Sequence, residues 1–189
     1  EMVRDTFSLT VPSETPPGLY DVQVGWYDPQ TQERLPAAGG TSARVAVLPV
    51  EWRGTGPQAM MPLQALFDGT ILLEGAQWEA AADGLQVTLR WSAVDYVAAD
   101  YTVFVHLVAP REGDRIIGQG DGPPLDGRWP TSLWLPGLAL DDVHHVPLSA
   151  SPPPGRYDLL VGLYHPDTDT RLPLANGSDA VRIGGLDLP

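Results

Sequence analysis

Short runs of apolar residues that alternate with polar ones recur along the chain. Alternation is clearest over residues 85–91 and 101–108, where every second side chain is apolar, as expected for strands with one face on a core. Further strands are predicted at residues 71–73, 116–119, 143–148, 157–164 and 180–183. Asp-Gly and Gly-Asp turns separate these runs, and no helical period continues without a Pro or Gly interruption. The pattern predicts an all-β fold.

A long internal repeat divides the chain. Residues 16–29 (PPGLYDVQVGWYDP) recur as residues 153–166 (PPGRYDLLVGLYHP), about 137 residues further along. We therefore predict three parts: a partial β-module at residues 1–50, a Pro- and Gly-containing linker at residues 51–62, and a complete β-sandwich module at residues 63–189. A partial module exposes apolar faces and open edges. Residues 1–50 are thus expected to dock on the complete module or to form a strand-exchanged or packed dimer.

Tyr20 and Tyr157 each follow a Pro-Gly turn near the start of a predicted strand. In immunoglobulin-like and fibronectin type III sandwiches, a tyrosine in this position ties a crossover loop to the backbone through its hydroxyl. Both tyrosines are therefore predicted to be structural corners. The expected fold is an antiparallel β-sandwich of this type, with a partial second repeat at its N-terminus.

Composition excludes several classes of function. The chain has 24 acidic and 11 basic residues and a formal net charge of −13, which repels nucleic-acid phosphates and anionic lipids. It has no cysteine, so disulfides, thiolate ligands and thiol nucleophiles are excluded. No apolar run approaches the roughly 20 residues of a membrane-spanning helix. Neither a nucleic-acid partner nor direct membrane insertion is expected.

The densest group of metal-competent side chains is His144 and His145 beside Asp141 and Asp142. Adjacent residues of a strand point to opposite faces, so only one of these histidines can share a site with a given carboxylate. The aspartates among the glycines of residues 113–127 lack the order of an EF-hand loop. No metal or other cofactor is expected, with a structural calcium ion on a loop as the alternative.

The segment 128–136 places Trp129 and Trp134 in a Pro-rich stretch near Asp121 and Arg128. Exposed indoles flanked by charged groups can bind carbohydrate, because the ring stacks on a sugar while the charged groups bond its hydroxyls. These four residues are the candidate ligand-binding residues for a glycan or protein partner. Since Trp is usually buried, the alternative is that both indoles close the open end of the sandwich as core.

Four segments carry a family resemblance in their order along the chain: residues 100–107 (DYTVFVHL), 118–124 (GQGDGPP), 129–134 (WPTSLW) and 154–164 (PGRYDLLVGLY). They resemble the C-terminal soluble β-sandwich region that follows the membrane-spanning part of glycosyltransferase-like proteins in Chloroflexi-type bacteria. The resemblance covers about residues 64–186. It implies an extracytoplasmic setting with an upstream membrane tether, and it assigns no catalytic residue.

Two functions from different classes remain. The favoured one is a non-catalytic extracytoplasmic accessory module, acting as a structural spacer or as a binder of glycans or protein partners within a larger, membrane-attached bacterial protein. The alternative is a carbohydrate-active hydrolase, which needs two carboxylates about 5 to 10 Å apart that the sequence does not single out. The chain contains no nucleophile elbow, P-loop or dinucleotide-binding motif. We therefore do not expect this fragment to be an enzyme.

Overall fold

A computed structural model of the chain describes residues 6–12, 15, 18–37, 39–50, 60–148 and 152–188. These residues contain eleven β-strands and three short 3₁₀ helices. The chain divides into two compact units, Glu1–Val50 and Glu51–Pro189. Among the described residues, no helix is long and apolar enough to cross a membrane.

The strands in chain order are β1 (Gly18–Val24), β2 (Ala43–Val50), β3 (Met61–Phe67), β4 (Ile71–Ala81), β5 (Gly84–Ala93), β6 (Thr102–Ala109), β7 (Arg115–Gln119), β8 (Ala139–Pro147), β9 (Gly155–His165), β10 (Thr170–Arg171) and β11 (Val181–Leu188). The 3₁₀ helices are Pro110–Glu112, Pro124–Gly127 and Thr131–Leu133.

The described part of the first unit is an antiparallel hairpin of β1 and β2. Val22 lies opposite Ala46, and a register shift follows Val22. Past the end of β1, a bridge between Tyr27 and Arg34 closes a tight turn. The repeated motif therefore forms a strand and the turn that follows it, as the sequence predicted.

The described residues of the second unit form two antiparallel sheets. One has the strand order β3-β4-β5-β8, and the other has the order β10-β9-β6-β7, with β11 also paired to β9. Inward side chains of both sheets meet in one hydrophobic core, which includes Phe67 and Trp91 from the first sheet and Leu107, Leu159 and Leu163 from the second. The unit is thus all-β and sandwich-like.

Each predicted strand of the second unit overlaps an observed one, but β3 was missed and β4 extends far beyond its predicted end at residue 73. Register shifts explain both errors. The pairing of β3 with β4 is irregular between Pro62 and Ala65, and that of β4 with β5 is irregular between Leu73 and Gly75. A bulge breaks the period of two that identifies a strand in sequence.

Strand β6 is buried on both faces, whereas its alternation predicted a wetter face carrying Phe104 and His106. The guanidinium of Arg171 covers Phe104, with its central carbon 4.2 Å from the ring centroid. Gly162 on the neighbouring strand makes room for this ring, because a Cβ there would lie 2.5 Å from it. The wetter-face prediction is therefore wrong, since Arg171 shields that face from solvent.

The hydroxyl of Tyr157 donates a hydrogen bond of 2.7 Å to the carbonyl oxygen of Pro153, and the side chain is buried. This is the bond expected of a structural corner. Tyr20 holds the equivalent place as the third residue of β1. Of the predicted linker, residues 51–59 lie outside the described residues, while Met61 and Pro62 already belong to β3.

Candidate functional site

The segment between β7 and β8, residues 120–138, contains all four candidate binding residues, and we call it the crossover segment. It carries two short 3₁₀ helices, Pro124–Gly127 and Thr131–Leu133. Several chemically capable side chains of β6 and β8 contact it. Its internal contacts decide whether these groups are free to bind a ligand.

Trp129 and Trp134 are each only 2% exposed and belong to the hydrophobic core. The indole N–H of Trp134 donates to the carbonyl of Trp129 at 3.0 Å, and that of Trp129 donates to the carbonyl of Leu133 at 3.1 Å. Carbohydrate stacking needs an exposed ring face, which neither indole has. The structure supports the alternative interpretation, in which both indoles are core residues.

A buried threonine pins the crossover segment to the loop before β6. The hydroxyl of Thr131 donates to the carbonyl of Ala99 at 2.7 Å and accepts a bond of 2.9 Å from the N–H of Tyr101. Next to it, the N–H of Ser132 donates to a carboxylate oxygen of Asp100 at 3.0 Å. Sequence reasoning missed Thr131, since a threonine in a Pro-rich loop carries no signal of burial.

The first 3₁₀ helix of the crossover segment contains two non-glycine residues with positive φ, Leu125 at 51° and Asp126 at 56°. L-residues adopt this left-handed conformation at a cost of about 1–2 kcal/mol each, so the turn needs anchors. The side chain of Leu125 packs in the core, and its N–H donates to a carboxylate oxygen of Asp142 at 2.9 Å. Asp142 thus holds a strained turn in place.

Asp142 and His144 lie on the same face of β8 and form a buried pair, with exposures of 1% and 6%. Nε2 of His144 lies 2.6 Å from the second carboxylate oxygen of Asp142, and Nδ1 lies 2.9 Å from the carbonyl oxygen of Gly120. Both ring nitrogens therefore face acceptors. Only a doubly protonated imidazolium can donate to both of them.

The pKa of His144 reflects two opposing effects. Burial alone lowers it, because a charged ring loses its hydration. The hydrogen bond and negative charge of Asp142, with help from the Gly120 carbonyl and from Asp121, outweigh burial, so the pKa of His144 is raised above its ordinary value. The charged form of the His144 ring is thus favoured more strongly here than in a free histidine.

Close approach of backbones makes this pair possible. A Cβ on Gly120 would lie 2.3 Å from the carbonyl oxygen of His145, so any larger residue would push the crossover segment away from β8. With glycine present, the Gly120 carbonyl reaches His144. The absence of a side chain at Gly120 therefore allows this approach.

Asp121 and Arg128, the two charged candidates, do not converge on a common site. Asp121 lies 3.1 Å from Nε2 of His106 and accepts a bond of 3.3 Å from the N–H of Val105. Arg128 turns back on its own segment, where its Nε donates to the carbonyl of Leu125 at 2.9 Å. Each charged group thus serves a local backbone or histidine partner.

Two further aspartates of the second unit are also paired. Asp114 and Asp158 both bind Arg182, and its hydrogen bond holds the pKa of Asp114 below the usual range. His145 points away from His144 and lies 3.1 Å from Asp83, as strand alternation predicted. Among the described residues, no three His, Asp or Glu side chains are grouped to hold a metal ion.

Two exposed aromatic side chains lie side by side in the first unit. Trp26 is 75% exposed and Tyr27 is 58% exposed. They border a shallow depression of about 210 Å³ lined by Gln23, Gly25, Trp26, Tyr27, Arg34, Thr41 and Ser42. Sequence reasoning did not select these residues, because in the repeat they align with strand and turn residues that have ordinary structural roles.

Comparison with models of known protein families, with curated proteins and with solved structures finds no match to this chain.

Proposed function

We propose that this chain is a non-catalytic accessory module of the immunoglobulin or fibronectin type III kind, which acts as a spacer and partner-binding element. In this proposal it works outside the cytoplasm, as part of a larger membrane-attached bacterial protein similar to glycosyltransferase-like proteins. One observation carries the proposal. Four chemically capable side chains around the crossover segment are engaged in internal hydrogen bonds that fix the loop, namely Asp121, Arg128, Asp142 and His144.

The strongest support comes from the carboxylates. Asp142 uses one oxygen for the N–H of Leu125 and the other for His144, and it is almost fully buried. Asp121 is occupied by His106 and by the N–H of Val105. A glycosidase needs two carboxylates that face a sugar with room for it between them. These two serve the fold, which favours a structural role over hydrolysis.

The immunoglobulin-like fold type and the location outside the cytoplasm are each supported by a further observation. The hydrogen bond from Tyr157 to the Pro153 carbonyl matches the corner typical of immunoglobulin-like sandwiches. The order of the four segments that resemble the region following a bacterial membrane domain supports an extracytoplasmic location. Tandem β-modules with a net charge of −13 suit a spacer, since like charge keeps neighbouring modules soluble and apart.

A hydrolysis assay tests the non-catalytic assignment. The full chain is incubated with a panel of nitrophenyl glycosides, and release of nitrophenol is expected at the rate of buffer alone. The matched variants are Asp121→Asn and Asp126→Asn, of which only the first changes a carboxylate that contacts a histidine. Turnover above buffer that disappears in Asp121→Asn and survives in Asp126→Asn would establish the hydrolase instead.

Protease treatment of intact cells of the source bacterium tests the location. An antibody against residues 60–188 detects the module before and after treatment, and a cytoplasmic protein serves as the control. We expect the module to be digested while the control survives. Survival of both in intact cells, with digestion of both after lysis, would place the module inside the cell.

A second candidate function is glycan binding at the depression of the first unit. Exposure of Trp26 and Tyr27 favours it, because these rings can stack on a sugar. Arg34, which lines the same depression, offers a hydrogen-bond donor. Titration with cell-wall oligosaccharides should then quench tryptophan fluorescence in the wild type and in Tyr96→Ala, which lacks an exposed aromatic ring elsewhere. The quenching should vanish in Trp26→Ala. No quenching in the wild type would exclude these glycans.

A further inference from the structure

The two copies of the repeat form corresponding hairpins, whose registers agree at Val22 and Leu159 and shift at different places on either side. In the first unit Val22 pairs with Ala46, and 137 residues further along Leu159 pairs with Ile183. Both pairings lie in antiparallel hairpins, β1 with β2 and β9 with β11. The first hairpin is therefore the structural counterpart of the last hairpin of the sandwich-like unit.

The turns after β1 and within the β9–β10 hairpin also correspond. A bridge joins Tyr27 to Arg34 in the first unit, and the equivalent pair in the second unit is Tyr164 with Arg171. The correspondence thus extends beyond the strands through the following turn. Positions along β1 can therefore be compared with those along β9, and the two turns with each other.

Equivalent positions differ sharply in burial. Val161 and Leu163 are completely buried, while their counterparts Val24 and Trp26 are 50% and 75% exposed. In the second unit these positions are inner-face positions of β9, and the sheet β3-β4-β5-β8 provides the opposite layer of the core. The inner face of the first hairpin carries the same apolar pattern, and the described residues of its own unit form no second sheet.

The two faces of the first hairpin differ in polarity. The outer face carries an ion pair of 2.7 Å between Asp21 and Arg44 and a hydrogen bond of 2.7 Å between Ser42 and Gln23. The inner positions of β1 and β2, which alternate with these, have no charged residue. The face without charged residues is the one suited to pack on another sheet.

One edge of β1 also has no strand partner among the described residues. In the second unit β9 pairs with β11 on one edge and with β6 on the other, for example through Val161 and Val105. Among the described residues, β1 pairs only with β2. An open edge beside an apolar face is the arrangement that accepts an added strand.

We infer that the inner face of the first hairpin is a docking surface for one kind of partner, an incomplete β-sandwich that lacks its own last hairpin. The partner supplies a four-stranded sheet like β3-β4-β5-β8 and an edge strand like β6. The surface consists of Val22, Val24, Trp26, Leu35 and Leu48. This inference rests on the proposed function, since it specifies the partner of the accessory module.

The partner differs from the second unit in two places. Trp26 occupies the position of the completely buried Leu163, so the partner has more space there. Ala46 occupies the position of Ile183, so the partner has a larger side chain opposite it. A second copy of this chain fits poorly, because its own β9–β11 hairpin fills the place and an indole in a leucine site overpacks the core.

The test extends the full chain at its N-terminus with a second copy of residues 60–148, which supplies the inferred sheet. The hairpin is used in two forms, the wild type and the matched form Trp26→Leu/Ala46→Ile, which restores the residue sizes of the second unit. Hydrogen exchange of the β1 amides is followed by mass spectrometry. The control in each form is Val24→Asp, which places a charge on the inner face.

In the matched form, we expect the extension to slow exchange of the β1 amides at least 100-fold relative to the unextended chain. Val24→Asp should abolish this protection while leaving β9 protected. Unchanged exchange in the matched form overturns the inference. A second result also overturns it: light scattering shows that the unextended chain is a dimer, and its β1 amides are already protected from exchange. The surface is then occupied by a second copy of the chain. Neither failure affects the glycoside and cell-protease assays, which test the proposed function separately.

Discussion

The first hairpin and the last hairpin of this chain share their sequence motif, antiparallel pairing and turn, and yet one is exposed and the other forms part of a core. Val22 with Ala46 and Leu159 with Ile183 occupy the same ladder positions. The difference shows that the motif determines the hairpin locally, through alternation and turn residues. It does not determine burial, which requires the opposing sheet.

The two hairpins differ in the free energy that stabilises them. A two-stranded hairpin alone is marginally stable in water, because backbone hydrogen bonds contribute little net free energy. The last hairpin adds completely buried side chains such as Leu159, Val161 and Leu163 to the core. Burial of each such side chain contributes about 1.5–3 kcal/mol. Truncating a side chain should therefore lower the free energy of unfolding much more in the last hairpin than at the equivalent position of the first, although the two sequences are similar.

Truncating equivalent apolar positions tests this contrast most strongly. Leu163→Ala should lower the free energy of unfolding of the second unit by about 2–5 kcal/mol, since it leaves a cavity at a completely buried site. Trp26→Ala, at the equivalent position, should change it by less than about 0.5 kcal/mol. Urea unfolding followed by near-ultraviolet circular dichroism measures both values.

The comparison fails if the two variants have similar effects. A large loss in Trp26→Ala would mean that the first hairpin is packed in solution despite its exposed indole. A negligible loss in Leu163→Ala would mean that the core of the second unit does not depend on its last hairpin. Leu133→Ala, at a half-exposed position of the crossover segment, provides a control for truncating a leucine outside the core.

A dependence on pH should be confined to the second unit, because the buried pair of Asp142 and His144 has no counterpart in the first hairpin. The pKa of His144 is raised in the folded state, so protonation stabilises the fold. This contribution is fully present below the unfolded pKa of about 6.5 and is lost as pH rises through the higher folded value. The urea midpoint should fall over that range.

His144→Gln should remove this part of the pH dependence, because glutamine does not titrate. His145→Gln is the matched control, since His145 is its neighbour on β8 but points to an exposed carboxylate, Asp83. The control should keep the wild-type slope. An unchanged slope in His144→Gln would show that the buried pair of Asp142 and His144 does not produce the pH dependence.

Much of the fold was predictable because its signals are local. Alternation identified β5, β6 and β9, and it also predicted that His144 and His145 would point to opposite faces. The Pro-Gly turn before Tyr157 predicted a corner, and the hydroxyl bond to Pro153 is present. In each case the determining residues lie within a few positions of one another.

The crossover segment was not predictable, because contacts with distant residues determine its conformation. Burial of Trp129 and Trp134 depends on a loop pinned by Thr131 to Ala99. The positive φ of Leu125 depends on a hydrogen bond to Asp142, seventeen positions away in sequence. The crossover segment therefore has the composition of a binding loop, but its indoles and charged groups bond to other parts of the same unit.

A smaller effect is expected from the repeated arginine. Arg171 stacks over Phe104 at 4.2 Å and lies 3.6 Å from Asp179, whereas the equivalent Arg34 borders the open depression. Arg171→Ala should destabilise the second unit by about 0.5–2 kcal/mol, and Arg34→Ala should have almost no effect. Thermal unfolding of both variants measures the difference.

A double-mutant cycle isolates the stacking contribution. If the guanidinium acts through the ring, Arg171→Ala should cost less in a Phe104→Leu background than in the wild type. Equal losses in both backgrounds would assign the effect to Asp179 or to lost covering of β6. Either result shows whether Arg171, which has a counterpart in the first copy of the repeat, stabilises the second unit through the ring that it covers.

The smallest predicted effect concerns the corner itself. Tyr157→Phe removes the hydroxyl that donates to the Pro153 carbonyl but keeps the ring in place, so the expected loss is about 0.5–1.5 kcal/mol. Tyr96→Phe, at an exposed position, controls for removal of a hydroxyl. If the two variants unfold at the same urea concentration, the corner bond adds nothing to stability. The loop entering β9 would then be fixed by packing alone, and the Pro-Gly-x-Tyr motif would stabilise the two hairpins through its turn rather than through its tyrosine.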